Sequence, residues 1–411
     1  MVFLRYCVAS IVRLPKLKAS FIHPEGIYGA TFFITNEKEE NLMKMAKLAL
    51  LIVIAASLVM ACGDSQKVSD LEKQLKDCQD KLQASEAKPE AMSEIGKTLQ
   101  TIKDRGYLIA GVNGGVYGFS MPNDKGEWEG LDVDTAKAIA IAVFGDATKI
   151  KYVPLTAVQR LPALQSKEID VLCRNTTQTL TRETTNGLNF VHVNYYDGQG
   201  FLVPKALNVK DAKGLDGATV CVLPGTTTEL NAADYFRTNG MKWKPVVIEN
   251  TAELNKAFFA GRCDCLTSDA SQLAAQRSVA PNPEDYMLLP QIISKEPLAP
   301  VVRHGDDQWY DIVNFTVNAL IEAEELGITS QNVDEMLKSE NPAIKRFLGV
   351  TPGLGQALGV DDNWAYNIVK QVGNYGEIFD RNVGPKTKLG LERGLNALWT
   401  HGGLMYAVPF R

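Results

Sequence analysis

The chain has 411 residues, 45% of them hydrophobic and 22% charged, which is enough to bury a core in each of two domains. Lys and Arg number 43 against 48 Asp and Glu, a formal net charge of -5 with no basic stripe, so an electrostatic grip on nucleic acid is excluded. Gly (33) and Pro (18) stand at ordinary levels and no period of about 20–50 residues recurs, which removes fibres and solenoids.

Residues 48–61 form an apolar run preceded by Lys44 and Lys47 and followed by Cys62. The run is shorter than the roughly 20 residues that cross a bilayer, and its basic start and small-residue ending fit a secretory signal. With Val59, Met60, Ala61 and Cys62 at its end it resembles a bacterial lipoprotein signal. That resemblance implies that Cys62 becomes the lipid-modified first residue of an exported, moderately acidic body in the periplasm. An uncleaved signal anchor is the alternative. Met43 or Met45 would open this signal conventionally, so residues 1–42 read as an extension outside the structured protein and residues 43–61 as the signal peptide.

Residues 62–95 read as a tether. Val68, Leu71, Leu75, Cys78 and Leu82 follow heptad spacing for barely two heptads, which fits a short helical stalk better than a coiled-coil seam. In the competing reading the seam self-associates and Cys78 cross-links two copies in an oxidising compartment.

From residue 96 onward strands and helices alternate. Residues 107–112, 149–155 and 169–173 read as strands, separated by a helix over 135–144, started by Asp134 as its cap, and a short helix over 161–167. Residues 191–203 break this pattern as an extended, Gly-dotted stretch. A second series follows, with strands over 218–223, 245–249 and 263–267 and helices over 229–238, 252–260 and 270–276. After Met287 another extended stretch leads into an amphipathic helix over 309–325, with Trp309, Val313, Val317 and Leu320 on one face. The fold class is α/β: two Rossmann-like modules, the second inserted in the first and joined to it by two hinge strands. The first lobe is expected to take residues 96–197 and 295–411, and the second residues 198–294. Ligands of open α/β sheets bind at the carboxyl ends of strands, so two facing modules enclose a cleft and form a hinged clamp.

Three strand ends are rich in small hydrogen-bonding groups. The first runs into Arg174, Asn175, Thr176, Thr177 and then Arg182; the second into Thr226, Thr227 and Thr228; the third into Thr267, Ser268 and Asp269. An α-amino acid is a zwitterion, and removing its two charges from water is costly unless each meets an opposite charge. A guanidinium can hold the carboxylate through two parallel bonds, helix-start N–H groups can assist, and a carboxylate can hold the ammonium. Arg182, the Thr226–Thr227 loop and Asp269 supply these elements.

The stretches over residues 108–140, 170–183, 217–231 and 261–271 resemble the successive motifs of polar-amino-acid substrate-binding proteins that feed ABC importers, and the tail over 373–411 is similar to their general L-amino-acid-binding branch. The resemblance implies the two-lobed type II periplasmic-binding-protein fold and capture of L-amino acids for a membrane permease, with no cofactor and no catalysis. It further implies that Arg182 and Thr227 hold the α-carboxylate and Asp269 the α-ammonium. Asn175 and Thr177 would line the first lobe, and Asn113 and Tyr117 would reach the ligand from the first strand-to-helix loop. Arg174 stands where many relatives carry Ser, which points the side-chain pocket toward acidic or amide-bearing ligands. The resemblance also implies a Cys221–Cys263 disulfide. Read from strand alternation alone, Cys265 shares a face with Cys263, so a Cys221–Cys265 pairing stays open.

Each residue has a plainer reading. Residues 226–229 fit a capping box, Asp269 can cap the helix that follows it, and Arg182 can be a surface charge. Their joint placement at three strand ends favours the ligand reading. The glycines at 111, 114 and 115 with Asp132 imitate a dinucleotide fingerprint, but the spacing is wrong and no helix opens there. Cys263 and Cys265 lack a second pair at metal-ligand spacing. The rival function is a periplasmic enzyme on the same fold, similar to cyclohexadienyl dehydratase.

Overall fold

The computed structural model describes residues 97–411. The readings of residues 1–42, 43–61 and 62–95, with Cys62 and Cys78 among them, lie outside the described residues. Helix α1 (Thr98–Arg105) leads into β1 (Leu108–Val112), a small hairpin of β2 (Met121–Pro122) and β3 (Trp128–Glu129), and helix α2 (Leu131–Phe144). Then come β4 (Ile150–Pro154), α3 (Arg160–Gln165), β5 (Val171–Leu172), α4 (Leu180–Thr184) and β6 (Leu188–Phe190). The chain crosses to a second unit through β7 (Tyr195–Asp197) and β8 (Gln199–Pro204). It continues as β9 (Thr219–Val222), α5 (Thr227–Thr238), β10 (Lys244–Val247), α6 (Thr251–Phe259), β11 (Cys265–Asp269), α7 (Ala270–Ser278) and β12 (Tyr286–Leu288). It returns through β13 (Glu296–Leu298) and β14 (Val301–Arg303) to the long helix α8 (Asp307–Glu325).

Two five-stranded sheets result, ordered β4-β1-β5-β14-β6 and β10-β9-β11-β8-β12. In each, three strands run parallel and the crossing strand, β14 or β8, lies antiparallel to its neighbours. Between the sheets β7 and β13 pair antiparallel, with Asp197 opposite Glu296 and Tyr195 opposite Leu298. This ribbon carries both crossings. The α/β class, the two lobes and the two connecting strands agree with the sequence reading.

Helix α2 shows how local sequence and packing cooperate. Its Ala- and Ile-rich run is buried almost all round, because the sheet lies on one side and α8 and α12 (Trp364–Val372) pack against the others. It begins four residues before the expected start. Gly130 at φ +126° permits the entry, and a Cβ there would lie 2.1 Å from the Phe119 carbonyl oxygen. Asp134 therefore does not cap: it sits in the first turn, and its carboxylate accepts from Arg381 Nε (2.8 Å), Arg381 Nη2 (2.7 Å) and Asn382 Nδ2 (2.7 Å). Those donors belong to α13 (Tyr375–Asn382), part of a C-terminal series that begins with α9 (Val333–Met336), α10 (Pro342–Phe347) and α11 (Leu354–Leu358). Near the chain end, Phe410 meets the rings of Phe315, Phe347 and Trp364 at 5.8, 5.4 and 6.2 Å. These contacts anchor the C-terminal segment on the first lobe's helices.

Cys221 on β9 is bonded to Cys263, while Cys265 and Cys173 are free and buried. Strand β11 starts only at Cys265, so Cys263 lies in the preceding turn and does not share a strand face with Cys265. That settles the pairing. The bond closes a span of 42 residues, for which a chain-entropy estimate gives about 4 kcal/mol of stabilisation. Replacing Cys221 and Cys263 together by Ser is expected to lower unfolding stability by about 2–4 kcal/mol in denaturant titrations, whereas Cys265→Ser changes it through packing alone.

Candidate functional site

Beyond β5 the chain turns sharply. Asn175 takes φ +25°, a backbone state short polar side chains tolerate, and its N–H donates to Asp132 Oδ2 at 2.9 Å. The Asn175 amide thereby faces the second sheet: Nδ2 donates to Gln272 Oε1 (3.0 Å) and Asp269 Oδ2 (3.5 Å) and Oδ1 accepts from Asn113 Nδ2 (3.3 Å). Two guanidiniums brace the same loop. Arg160 Nη1 donates to the Arg174 and Asn175 carbonyls (3.4 and 3.3 Å), and Arg182 Nη1 to the Thr177 carbonyl (2.6 Å).

From the second sheet, β9 delivers the start of α5 and β11 delivers Asp269. Thr226 is the N-cap of α5, its hydroxyl accepting from the Glu229 N–H at 3.0 Å, and Glu229 Oε2 accepts from the Gly225 N–H at 2.9 Å. Thr226 thus caps the helix start, while Glu229 takes the Gly225 N–H in place of the Thr226 N–H that a capping box would use. The Thr228 hydroxyl donates to Thr226 Oγ1 (2.9 Å). Asp269 behaves differently. It stands at the N-cap of α7 without a side-chain capping bond, and its carboxylate lies in the buried junction, 5% exposed.

One further carboxylate connects everything around it. Glu296 on β13 is 1% exposed; its Oε2 accepts from the hydroxyls of Thr177 (2.6 Å) and Thr227 (2.8 Å), and its Oε1 from Asn231 Nδ2 (2.8 Å) and Ser294 Oγ (2.5 Å). Residues of both lobes and of the return crossing converge on a single side chain. On the outgoing crossing, Asp197 accepts from the Ser271 hydroxyl and from the Gly198 N–H.

Three carboxylates, Asp132, Asp269 and Glu296, and three guanidiniums, Arg160, Arg174 and Arg182, are therefore buried together, with Asp197 half-buried beside them. Burial, with Asp197 and Glu296 nearby, pushes the Asp269 carboxyl well above the usual range, against the pull of Arg160 and the Asn175 bond. Burial pushes Asp197 up to about 6, and also Asp132, which the Asn175 N–H and Arg174 draw back down. Burial lowers the guanidinium pKa of Arg182, opposed by Glu296 and Asp269.

A cavity of about 20 Å³ lies at this junction, lined among others by Arg160, Arg174, Asn175, Thr177, Thr227 and Asp269. Asn175, Thr177, Thr226, Thr227, Thr228, Arg174 and Asp269 are thus brought together as the sequence reading expected. Arg182 is buried but stands behind Thr177, outside the lining. Asn113 lines an adjoining cavity of about 200 Å³, which also reaches Arg174. Tyr117 lines neither of these two cavities, and the Lys388 ammonium lies 5.8 Å from its ring centroid. Arg160, Gln272 and Glu296 were not anticipated. Gln272 lies one turn after Asp269 on α7 and was accessible to helical periodicity; its Nε2 is buried without a partner. Among the described residues no cluster of three or more His, Cys, Asp or Glu could hold a metal, and no helix is long and apolar enough to cross a membrane.

Comparison with known proteins places this geometry in a family. A model of bacterial extracellular solute-binding proteins, family 3, matches residues 108–332. The chain is 57% identical over 323 residues to the general L-amino acid-binding periplasmic protein AapJ of Rhizobium johnstonii, covering 78% of this chain and 95% of that protein. It is 54% identical over 315 residues to the glutamate/glutamine/aspartate/asparagine-binding protein BztA of Rhodobacter capsulatus, covering 76% and 93%. Among solved structures, an ABC transporter periplasmic binding protein from Brucella ovis with glutathione bound superposes with a TM-score of 0.75 at 53% identity, covering 76% of this chain and 99% of that one. The two sheets and the paired crossings are accordingly those of a binding protein: the chain belongs to family 3 of the bacterial extracellular solute-binding proteins.

Proposed function

We propose that the protein captures L-amino acids between its lobes and delivers them to the permease of an ABC importer. The observation that carries this reading is the buried Asp269 carboxylate, free of any capping duty, in one cavity with the guanidiniums of Arg160 and Arg174 and with Arg182 directly behind Thr177. The α-ammonium goes to Asp269. The α-carboxylate goes to the Thr177 and Thr227 side, where Arg182 supplies the opposing charge. Arg174 meets the side chain, which favours acidic and amide groups and leaves the range broad. The names of the Rhizobium and Rhodobacter relatives support the same ligand class.

A cavity of about 20 Å³ is smaller than an amino acid, so entry requires the lobes, residues 96–197 with 295–411 and residues 198–294, to part about β7 and β13. Cross-lobe bonds such as Asn175 to Gln272 are then exchanged for bonds to the ligand. Cys62 carries the lipid that tethers the protein to the membrane, and residues 62–95 set the body off from it. We assign the protein no chemistry of its own.

Calorimetric titration of Arg182→Ala with L-glutamate and L-glutamine is expected to show at least about a 100-fold loss of affinity, because one partner of a buried charge pair is stranded. Unchanged affinity overturns the site assignment. The raised Asp269 pKa gives a second expectation. The ammonium favours the ionised carboxylate, so affinity should weaken as pH falls through the raised Asp269 range, checked by calorimetric titration at a series of pH values. The unliganded protein moves the opposite way: carboxyls such as Asp197, raised to about 6 in the fold, hold protons there that the unfolded chain releases. Their stability contribution is lost as pH rises through about 6, so the unliganded thermal midpoint should be higher near pH 5 than near pH 7.5.

A further inference from the structure

The second cavity, about 200 Å³, is ten times larger than the one at the charge cluster and lies against it. Both lobes form it. Its floor is buried and polar, made of Asn113, Arg174 and Thr251, while Pro154, Gln159, Glu249 and Ala252 on its rim are exposed. Across this rim Thr156 Oγ1 of the first lobe donates to Glu249 Oε1 of the second at 2.7 Å, so the passage persists with the lobes in contact.

Arg174 is the wall between the two cavities. Its Nε donates to the Leu155 carbonyl at 2.9 Å, and among the described residues its two terminal nitrogens have no hydrogen-bond partner, while the residue lines both cavities. A guanidinium fork left open beside a cavity calls for an acceptor there. A ligand whose side-chain carbonyl reaches this point meets that demand, and a cationic side chain is repelled. Beyond it the chain of the ligand has about 200 Å³ of passage in which to continue toward solvent.

We infer that the cleft accepts γ-glutamyl dipeptides, with the free α-amino acid end at the charge cluster, the γ-amide oxygen on Arg174 and the second residue in the passage. This inference rests on the amino-acid reading of the cleft and extends it from single residues to side-chain-acylated ones.

Calorimetric titration of the whole protein with L-glutamate, γ-glutamylglycine and α-glutamylglycine separates the two. The expected result is binding of glutamate and of the γ-linked peptide within about tenfold of each other, and none of the α-linked peptide, whose α-carboxylate is consumed in its peptide bond. Ala252→Trp, a change at an exposed rim position, should weaken γ-glutamylglycine about tenfold or more by filling the passage and leave glutamate within about twofold. Glutamate binding without γ-glutamylglycine binding overturns the inference and leaves the amino-acid reading intact. So does an equal loss of both ligands in Ala252→Trp. Failure of glutamate itself to bind overturns the amino-acid reading and this inference with it.

Discussion

Charges buried at the junction of the two lobes govern the rest of the structure. Three carboxylates and three guanidiniums lie out of water, and a single unpaired ion in such a place costs several kcal/mol. The protein spreads this cost over neutral partners: the Glu296 carboxylate takes four donors, from Thr177, Thr227, Asn231 and Ser294, and Arg160 and Arg182 donate to carbonyls of one loop, although Arg160 Nε stays buried without a partner. Asp269 keeps the least support. Its pKa rises accordingly, and a ligand ammonium would return it to the ionised form. Recognition of a zwitterion is thus prepared by a fold that tolerates an under-satisfied carboxylate at one point and none elsewhere nearby.

The same arrangement couples binding to motion. Thr177 belongs to one lobe, Thr227 to the other, and Glu296 to the crossing that joins them, so the bonds that steady the closed clamp pass through the residues that would receive a ligand's carboxylate. The helices that never take part in it, α8, α12 and α13, fasten the first lobe through Asp134, Arg381 and the aromatic contacts of Phe410.

Much of this was legible in the residues. Alternating apolar runs and turn signals identified the parallel strands because buried strands in α/β proteins read as short continuous apolar segments, and the two long extended stretches marked the crossings. Strand ends carrying Asn175, Thr177, Thr227 and Asp269 were legible because ligand chemistry demands those groups where strands stop. Asp134 was misread because the start of α2 depends on a glycine conformation at Gly130, which leaves no periodic trace. Cys263 and Cys265 were ambiguous until the start of β11 placed one of them in a turn. The roles of Glu296 and Arg160 and the Lys388–Tyr117 contact arise from residues distant along the chain, for which a single sequence carries no local signal.

The central claim is that both charges of a free α-amino acid are read at once. A thermal-shift panel of the twenty L-amino acids, together with N-acetyl and α-amide derivatives of each ligand that responds, tests it directly, since a ligand bound only by the folded state raises its midpoint. The account predicts upward shifts with several polar amino acids and none with either derivative. Silence across the amino acids, or equal shifts with the blocked derivatives, would contradict it.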